Sequence, residues 1–186
     1  MDITADFLEP GYFYHIYNRG INGEPIFSSD DNRYFFLNKI KQHLLPIAEV
    51  YAYCLMPNHF HMVLKIRERP IFDNSAKVLN FGKVAPNTGL HAEQSTASKQ
   101  IAKFISSYTQ AYNKQHQRHG GLLERPFKRK RIKTEDYLRS VIIYVHRNVL
   151  QLDARMETTN FHLTCVLFLK IRRCCRELKL LIFLII

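Results

Sequence analysis

The sequence is short of acidic residues, of paired cysteines and of long apolar runs. Its 16 Asp and Glu are outnumbered by 27 Lys and Arg, and the resulting net charge of +11 favours a polyanionic partner, nucleic acid before membrane. None of its four cysteines forms a C-x-x-C pair, which argues against a zinc finger or a disulfide framework and favours the reducing cytoplasm. The apolar end, residues 178–186, is too short for a membrane span, which needs about 20 residues. Residues 1–4 do not open a signal peptide. We therefore expect a cytoplasmic protein without a membrane segment.

Length and composition indicate one domain with a real core. The chain has 186 residues, of which 46% are apolar. We assign residues 1–150 to this domain and residues 151–186 to an apolar tail that holds three of the four cysteines. Within the domain, residues 67–94 mix Pro, Gly, Asn and Ser, which indicates a long variable loop.

Hydrophobic periodicity predicts four strands and three helices. The strands are expected at 12–17, 48–55, 59–66 and 125–132. Asp30 or Asp31, Ser95 or Thr96, and Thr134 are the expected helix caps, and Pro46 is expected to stop the first helix. The order strand-helix-strand-strand-helix-strand predicts an α+β fold of the ferredoxin-like split βαβ type, with a further helix after it. The second and third strands should form an antiparallel hairpin at the centre of the sheet.

The third strand carries a His-x-His pattern. Alternation turns its four apolar residues toward the core and places His59 and His61 side by side on the opposite, exposed face. Two neighbouring imidazoles can converge on one cation. The alternative is a pair of half-exposed histidines with no function.

The fourth strand is strongly basic, and its cations are Arg125, Lys128, Arg129, Lys130 and Arg131. Such a run is usually a solvated face. On a β-strand it also brings like charges close together, and a phosphate backbone would relieve that repulsion.

Two residues of the last helix, Tyr144 and Asn148, lie one turn apart and can face the same point. We expect Leu138, Ile142 and Val145 to form the core stripe of this helix. Taken alone, a tyrosine on a helix such as Tyr144 is far more often a packed aromatic residue than a nucleophile, and Asn148 could equally be a helix-end residue.

Several motifs together resemble the HUH family of single-tyrosine transposases, especially the REP-associated tyrosine transposases. In chain order they are Tyr14-His15-Ile16-Tyr17-Asn18-Arg19-Gly20, Met56-Pro57-Asn58-His59-Phe60-His61, Glu124-Arg125-Pro126-Phe127-Lys128, Tyr137-Leu138 and Tyr144-Val145-His146-Arg147-Asn148. The second motif combined with a downstream Tyr-x-x-x-Asn is the most specific part of the resemblance.

The resemblance implies a transposase-like strand transferase that cuts and rejoins single-stranded DNA at hairpin-forming repeats. Tyr144 matches the nucleophile, which forms a 5′-phosphotyrosine intermediate. His59, His61 and Asn148 match the ligands of Mg²⁺ or Mn²⁺. His15, Asn18 and Arg19 match the first-strand motif near the active site. These three residues and the five cations of the fourth strand are the expected DNA contacts, and the protein is expected to be a monomer or a homodimer.

After Asn148 the sequence departs from the family, which usually continues with Pro and a Trp- or Tyr-rich segment. This chain has no Trp. We interpret the tail as the product of a shifted reading frame or of recent divergence. Two other functions fit the same motifs: a replication initiator of the HUH type, and a non-catalytic nucleic-acid-binding module derived from a transposase.

Overall fold

A computed structural model of the chain describes residues 6–71 and 96–153. Most of the predicted loop at 67–94 and the tail beyond residue 153 lie outside the described residues. The regular elements are β1 (Phe13–Arg19), α1 (Asp30–His43), β2 (Ala48–Met56), β3 (His59–Ile66), α2 (Thr96–Gln115), β4 (Lys128–Ile132) and α3 (Glu135–Asp153), with a short 3-10 helix at Ile21–Gly23. The protein is therefore an α+β protein, as predicted.

The four strands form one antiparallel sheet in the order β2-β3-β1-β4. The hairpin of β2 and β3 is confirmed, with Met56 opposite His59 next to its turn. Its predicted place at the centre of the sheet is only half right, because β3 is interior and β2 is an edge strand. The basic strand β4 is the other edge and begins at Lys128, after Pro126.

The two faces of the sheet are covered by different helices. On one face, the apolar side chains of β1 and β3 pack with those of α1 and α2 in the larger core, including Ile16, Phe60, Phe36 and Phe104. On the other face, Val141 and Val145 of α3 pack over a smaller cluster that includes Val63. The alternation predicted for β3 is confirmed, but α3 covers part of the histidine face, so that His61 is buried whereas His59 is only partly buried.

The start of α1 differs from the prediction. Ser29 precedes the helix in an extended conformation, and its hydroxyl accepts a hydrogen bond from the Asn32 backbone N–H at 3.3 Å. Ser29 is therefore the cap, while Asp30 and Asp31 occupy the first turn, where their charge suits the positive end of the helix dipole. The helix ends at His43, before Pro46.

The cap predicted for α3 is confirmed, since the Thr134 hydroxyl accepts a hydrogen bond from the Tyr137 backbone N–H at 3.2 Å. The helix runs to Asp153, so regular structure crosses the expected domain limit at residue 150. Its buried stripe is Val141 and Val145, whereas Leu138 and Ile142 are only partly buried, so the helix is rotated relative to the prediction. Across the described residues, no helix is both long and apolar enough to cross a bilayer.

Candidate functional site

Three aromatic rings lie together on the α3 side of the sheet, contributed by its two central strands. Tyr17 of β1 is directly opposite His61 of β3, and His15 is the diagonal neighbour of His61. The Tyr17 ring lies 4.9 Å from the ring of His15 and 5.6 Å from that of His61, centroid to centroid, and is nearly parallel to both. Residues that are opposite or diagonal on one face of an antiparallel pair are in side-chain contact, so the strand register alone brings these rings together.

His15 and His61 are hydrogen-bonded to each other. The His15 Nε2 to His61 Nδ1 distance is 3.0 Å, and each side chain is only 8% exposed. Burial lowers the pKa of His15 to about 4, with a further contribution from the Lys130 charge. Burial likewise lowers the pKa of His61 to about 3, with smaller effects from His15 and His59. Both imidazoles are therefore neutral at pH 7, which is the form that binds metal ions.

His59, at the start of β3, is oriented by its neighbour in the turn. Its Nδ1 lies 2.7 Å from Asn58 Oδ1, and the Asn58 amide nitrogen donates to the Gly23 carbonyl at 3.4 Å. Asn58 Oδ1 is therefore an acceptor, His59 Nδ1–H is the donor, and the unprotonated nitrogen of His59 is Nε2. Burial lowers the pKa of His59 too, and the Arg19 charge adds to the effect.

Tyr144 reaches this group of rings from α3. Its ring centroid lies 5.4 Å from that of His61 and 6.3 Å from that of His15, nearly perpendicular to both. The side chain is 48% exposed, because the helix buries Val141 and Val145 on its inner stripe and leaves Tyr144 at the boundary of that stripe. Tyr144 is thus neither in the core nor remote from the histidines, and a ligand can reach it from solvent.

Asn148, the predicted third ligand, lies one turn further along α3 and is partly buried. Its amide nitrogen is buried without a hydrogen-bond partner, which is costly in a folded protein. Its assignment as a ligand stays a prediction.

The two histidines of the His-x-His pattern fit a divalent ion by the chemistry of their nitrogens. The Nδ1 of His59 is hydrogen-bonded to Asn58, so its unprotonated nitrogen is Nε2. The Nδ1 of His61 is hydrogen-bonded to His15, so the Nε2 of His61 is the nitrogen available to a cation. Hydrogen bonding of the second ring nitrogen is the usual companion of metal ligation by histidine. Among residues 6–71 and 96–153, no three His, Cys, Asp or Glu side chains form a metal-binding group, so further ligands would be amide oxygens, water or substrate.

The cations of β4 are divided between the two faces of the sheet. Lys128 and Lys130 lie opposite Tyr17 and His15, on the face that carries the histidines. The Lys130 ammonium lies 5.1 Å from the centre of the Tyr137 ring, and that of Lys128 lies 3.2 Å from a Glu124 oxygen.

The two arginines of β4 lie on the opposite face and have protein partners. Arg129 donates to the Ser98 hydroxyl at 2.9 Å, and Arg131 pairs with Glu9 at 2.8 Å. The sequence pattern did not separate these arginines from the lysines, although strand alternation would have done so.

Of the predicted DNA contacts on β1, Asn18 has a clear structural partner. It is 2% exposed, and its amide nitrogen donates to the Glu124 carbonyl at 2.9 Å. This bond ties the segment before β4 to the end of β1. Arg19 is exposed beside His59 and pairs with the Glu124 carboxylate, whereas Arg125 is exposed.

Glu124 is a site residue that the sequence reasoning missed. Its two carboxylate oxygens bind Arg19 and Lys128, and these hydrogen bonds lower the pKa of the carboxyl. It brings two cations together beside the histidines. The sequence could have identified Glu124 by its place in the motif Glu124-Arg125-Pro126-Phe127-Lys128. A single acidic side chain next to several basic residues is expected to form ion pairs with them.

Taken together, the fold and the site define an α+β protein with a histidine–tyrosine cluster between a four-stranded antiparallel sheet and a helix. No protein-family model matches the chain, and no curated protein does. Among solved structures, the chain is similar to a REP-associated tyrosine transposase bound to a REP hairpin, with a TM-score of 0.52 and 11% sequence identity. The similarity covers 82% of this chain and 74% of that one, and it shows a distant relationship in fold.

Proposed function

We propose that this protein is a transposase-like strand transferase and nuclease that cleaves and rejoins single-stranded DNA through a 5′-phosphotyrosine intermediate. The observation that carries the proposal is the position of Tyr144, half exposed, with its ring 5.4 Å from that of His61. A solvent-accessible phenol beside neutral imidazoles, with lysines on the same face of the sheet, is suited to attack on a phosphodiester. The strand order and the extra helix fit a ferredoxin-like split βαβ with the tyrosine on its C-terminal helix.

In the proposed reaction, the Tyr144 hydroxyl oxygen attacks the phosphorus of a DNA phosphodiester. The bond from phosphorus to the 3′ oxygen breaks as the bond to tyrosine forms, and the phenol proton ends on the departing 3′ oxygen. The products are a 5′-phosphotyrosine and a free 3′-OH. Because the new bond is again a phosphodiester, the reaction reverses or transfers the strand when a 3′-OH attacks it, without a nucleotide cofactor.

Mg²⁺ or Mn²⁺ is the proposed cofactor, held by His59, His61 and Asn148. A bound ion would supply Lewis-acid polarisation of the phosphate and neutralise the charge that develops on it. The protein's own contribution is to engage the Nδ1 atoms of His59 and His61 in hydrogen bonds with other side chains, which leaves their Nε2 atoms available, and to favour the neutral form of both rings through burial.

The proposed DNA path follows the cations on the histidine face. Lys128 and Lys130 of β4 and the exposed Arg19 of β1 border the group of rings. Ammonium and guanidinium groups there can bind phosphates on either side of the reacting one. A hairpin-forming repeat is the proposed substrate, by analogy with the hairpin held by the structural neighbour.

The decisive test is covalent capture. The full chain is incubated with a 5′- and 3′-labelled single-stranded hairpin library and Mn²⁺, and the adduct is resolved under denaturing conditions. We expect wild type to form an adduct on the 5′-phosphate side of the cut. Tyr144→Phe should bind the same DNA but form none, because it lacks only the attacking oxygen. Tyr34→Phe is the matched control, since Tyr34 is an exposed tyrosine on α1.

A second variant separates the nucleophile from the metal ligands. His59→Ala should lose cleavage at low Mn²⁺ and recover part of it at high Mn²⁺, whereas no metal concentration should rescue Tyr144→Phe. If Tyr144→Phe cleaves at the wild-type rate, another nucleophile acts and the proposed mechanism is wrong. If wild type binds hairpins but cleaves none with any divalent ion, the protein is a binding module.

A further inference from the structure

His15 is a buried histidine on β1, and its contacts indicate a role toward another side chain of the site. It is 8% exposed, and the covering helix and neighbouring rings leave it little access to a polymer. Its Nε2 is directed at one atom, the Nδ1 of His61, at 3.0 Å. His15 therefore contacts His61, a candidate metal ligand, at the nitrogen that would not bind the metal.

The geometry is that of an in-plane hydrogen bond between two rings. The ring centroids are 5.1 Å apart while the nitrogens are 3.0 Å apart, and the planes differ by 25°. Rings stacked face to face would bring their centroids much closer. The two imidazoles instead meet edge to edge, so a lone pair on one nitrogen lies along the N–H of the other.

Two neutral imidazoles joined in this way share one proton, which lies either on His15 Nε2 or on His61 Nδ1. If His15 Nε2 carries it, His61 Nδ1 is the acceptor, the remaining proton of His61 is on Nε2, and that nitrogen cannot bind a metal ion. If His61 Nδ1 carries it, His15 Nε2 is the acceptor and His61 Nε2 is bare. The two arrangements have different consequences for the site.

We infer that His15 is a positioning residue that accepts the Nδ1–H of His61 and thereby holds the Nε2 lone pair of His61 ready for a divalent ion. This inference deepens the proposed function and rests on it for the identity of the ligands. The other histidine of the pattern has the same arrangement, because Asn58 Oδ1 accepts the Nδ1–H of His59 at 2.7 Å. Each candidate ligand thus has its own acceptor, a side chain amide in one case and an imidazole in the other.

Tyr17 supports this arrangement by fixing ring orientation. It lies nearly parallel to both rings, at 29° to His15 and 26° to His61, and packs against them from the same strand face. The ring of Tyr144 is also a neighbour of both imidazoles and is nearly perpendicular to them. Rotation of either imidazole away from the hydrogen bond would displace these neighbours, so the bond is held by packing as well as by its own energy.

The test reads the tautomer directly, in the metal-free full chain. Long-range ¹H–¹⁵N correlation spectra of ¹⁵N-histidine protein distinguish a protonated ring nitrogen from a bare one. We expect wild-type His61 to be protonated on Nδ1 and bare on Nε2. His15→Phe keeps a planar aromatic ring and removes the acceptor, so His61 should become a mixture of tautomers. His15→Gln should restore the wild-type pattern, because its amide oxygen can accept the same proton.

Mn²⁺ binding, measured without DNA, gives the second readout. Loss of a hydrogen-bonding partner of a ligand commonly costs about 10- to 100-fold in metal affinity. We expect a loss of that size for His15→Phe and a smaller one for His15→Gln. His116→Phe is the control: His116 is exposed, hydrogen-bonds to Ser28 and should leave affinity unchanged.

A wild-type His61 protonated on Nε2 overturns the inference, and so does a His15→Phe variant with unchanged tautomer and Mn²⁺ affinity. The wild-type and His15→Gln spectra decide the matter even if His15→Phe fails to fold. Failure of the proposed function has a different signature, because absence of any tyrosine–DNA adduct leaves the tautomer result standing.

Discussion

Acidification should destabilise this protein through the buried pair His15 and His61. The folded protein holds their pKa values at about 4 and about 3, because burial disfavours the charged form. In the unfolded chain both return to about 6.5. The unfolded state therefore binds more protons than the folded state between about pH 6.5 and the folded pKa values. Above about pH 6.5 these two histidines do not lower the free energy of unfolding. As the pH is lowered from there toward the folded pKa values, the free energy of unfolding falls.

The magnitude follows from these values. At about pH 5 each histidine is almost fully protonated in the unfolded chain and almost unprotonated in the folded protein. Relative to pH 8, linkage lowers the free energy of unfolding by about 2 kcal/mol for His15 alone and by about 4 kcal/mol for the pair. Coupling between the two rings matters little at pH 5, because the folded pair carries almost no proton there.

Urea unfolding at about pH 8 and pH 5, with a chelator present, measures this loss. The double variant His15→Gln/His61→Asn should lose about 4 kcal/mol less than wild type over the same pH interval, because it lacks both titrating groups. His119→Gln changes an exposed histidine and should behave like wild type. Equal pH dependence in wild type and the double variant would show that the pair is not buried neutral in the fold, and the reasoning would fail.

Three further predictions concern charge, core and cap. Lys128→Gln/Lys130→Gln should lower single-stranded DNA affinity and reduce the slope of log affinity against log salt by about 1.4, or about 0.7 per phosphate contact; an intact slope in a filter-binding series would place the DNA elsewhere. Phe36→Ala should lower the free energy of unfolding in urea by about 3–5 kcal/mol, because Phe36 is fully buried among aromatic rings. Phe35→Ala, at the more exposed neighbouring position, is the control, and an equal loss for this variant would contradict the packing. Ser29→Ala should cost about 1 kcal/mol in the same assay through loss of the α1 cap, and no loss would refute the cap.

The sequence by itself determined the features that depend on neighbours along the chain. The alternation in β3 was enough to separate Phe60 and Met62 from His59 and His61, because a strand turns successive side chains to opposite faces wherever it is placed. The buried residues Ile101, Phe104 and Tyr108 of α2 likewise recur at the three- and four-residue spacing of one helix face, which local sequence alone is enough to set. The element order followed from such local patterns and predicted an α+β protein.

Only the tertiary structure decided which surfaces those patterns meet. The burial of His61 depends on α3 packing over the sheet, and the rotation of that helix depends on which apolar residues, Val141 and Val145, fit the surface below. Local spacing leaves that choice open, because adjacent stripes of one helix are similarly apolar.

The contacts that define the site are long-range in sequence. The bond between His15 and His61 joins residues of different strands, and it exists because β1 pairs with β3 in one particular register. A shift by one residue would turn one of the two imidazoles to the other face. The pairing of Glu124 with Arg19 likewise depends on where the segment before β4 meets the end of β1. The residue types were readable from the sequence, but the atoms that they bind were set by strand register and helix packing.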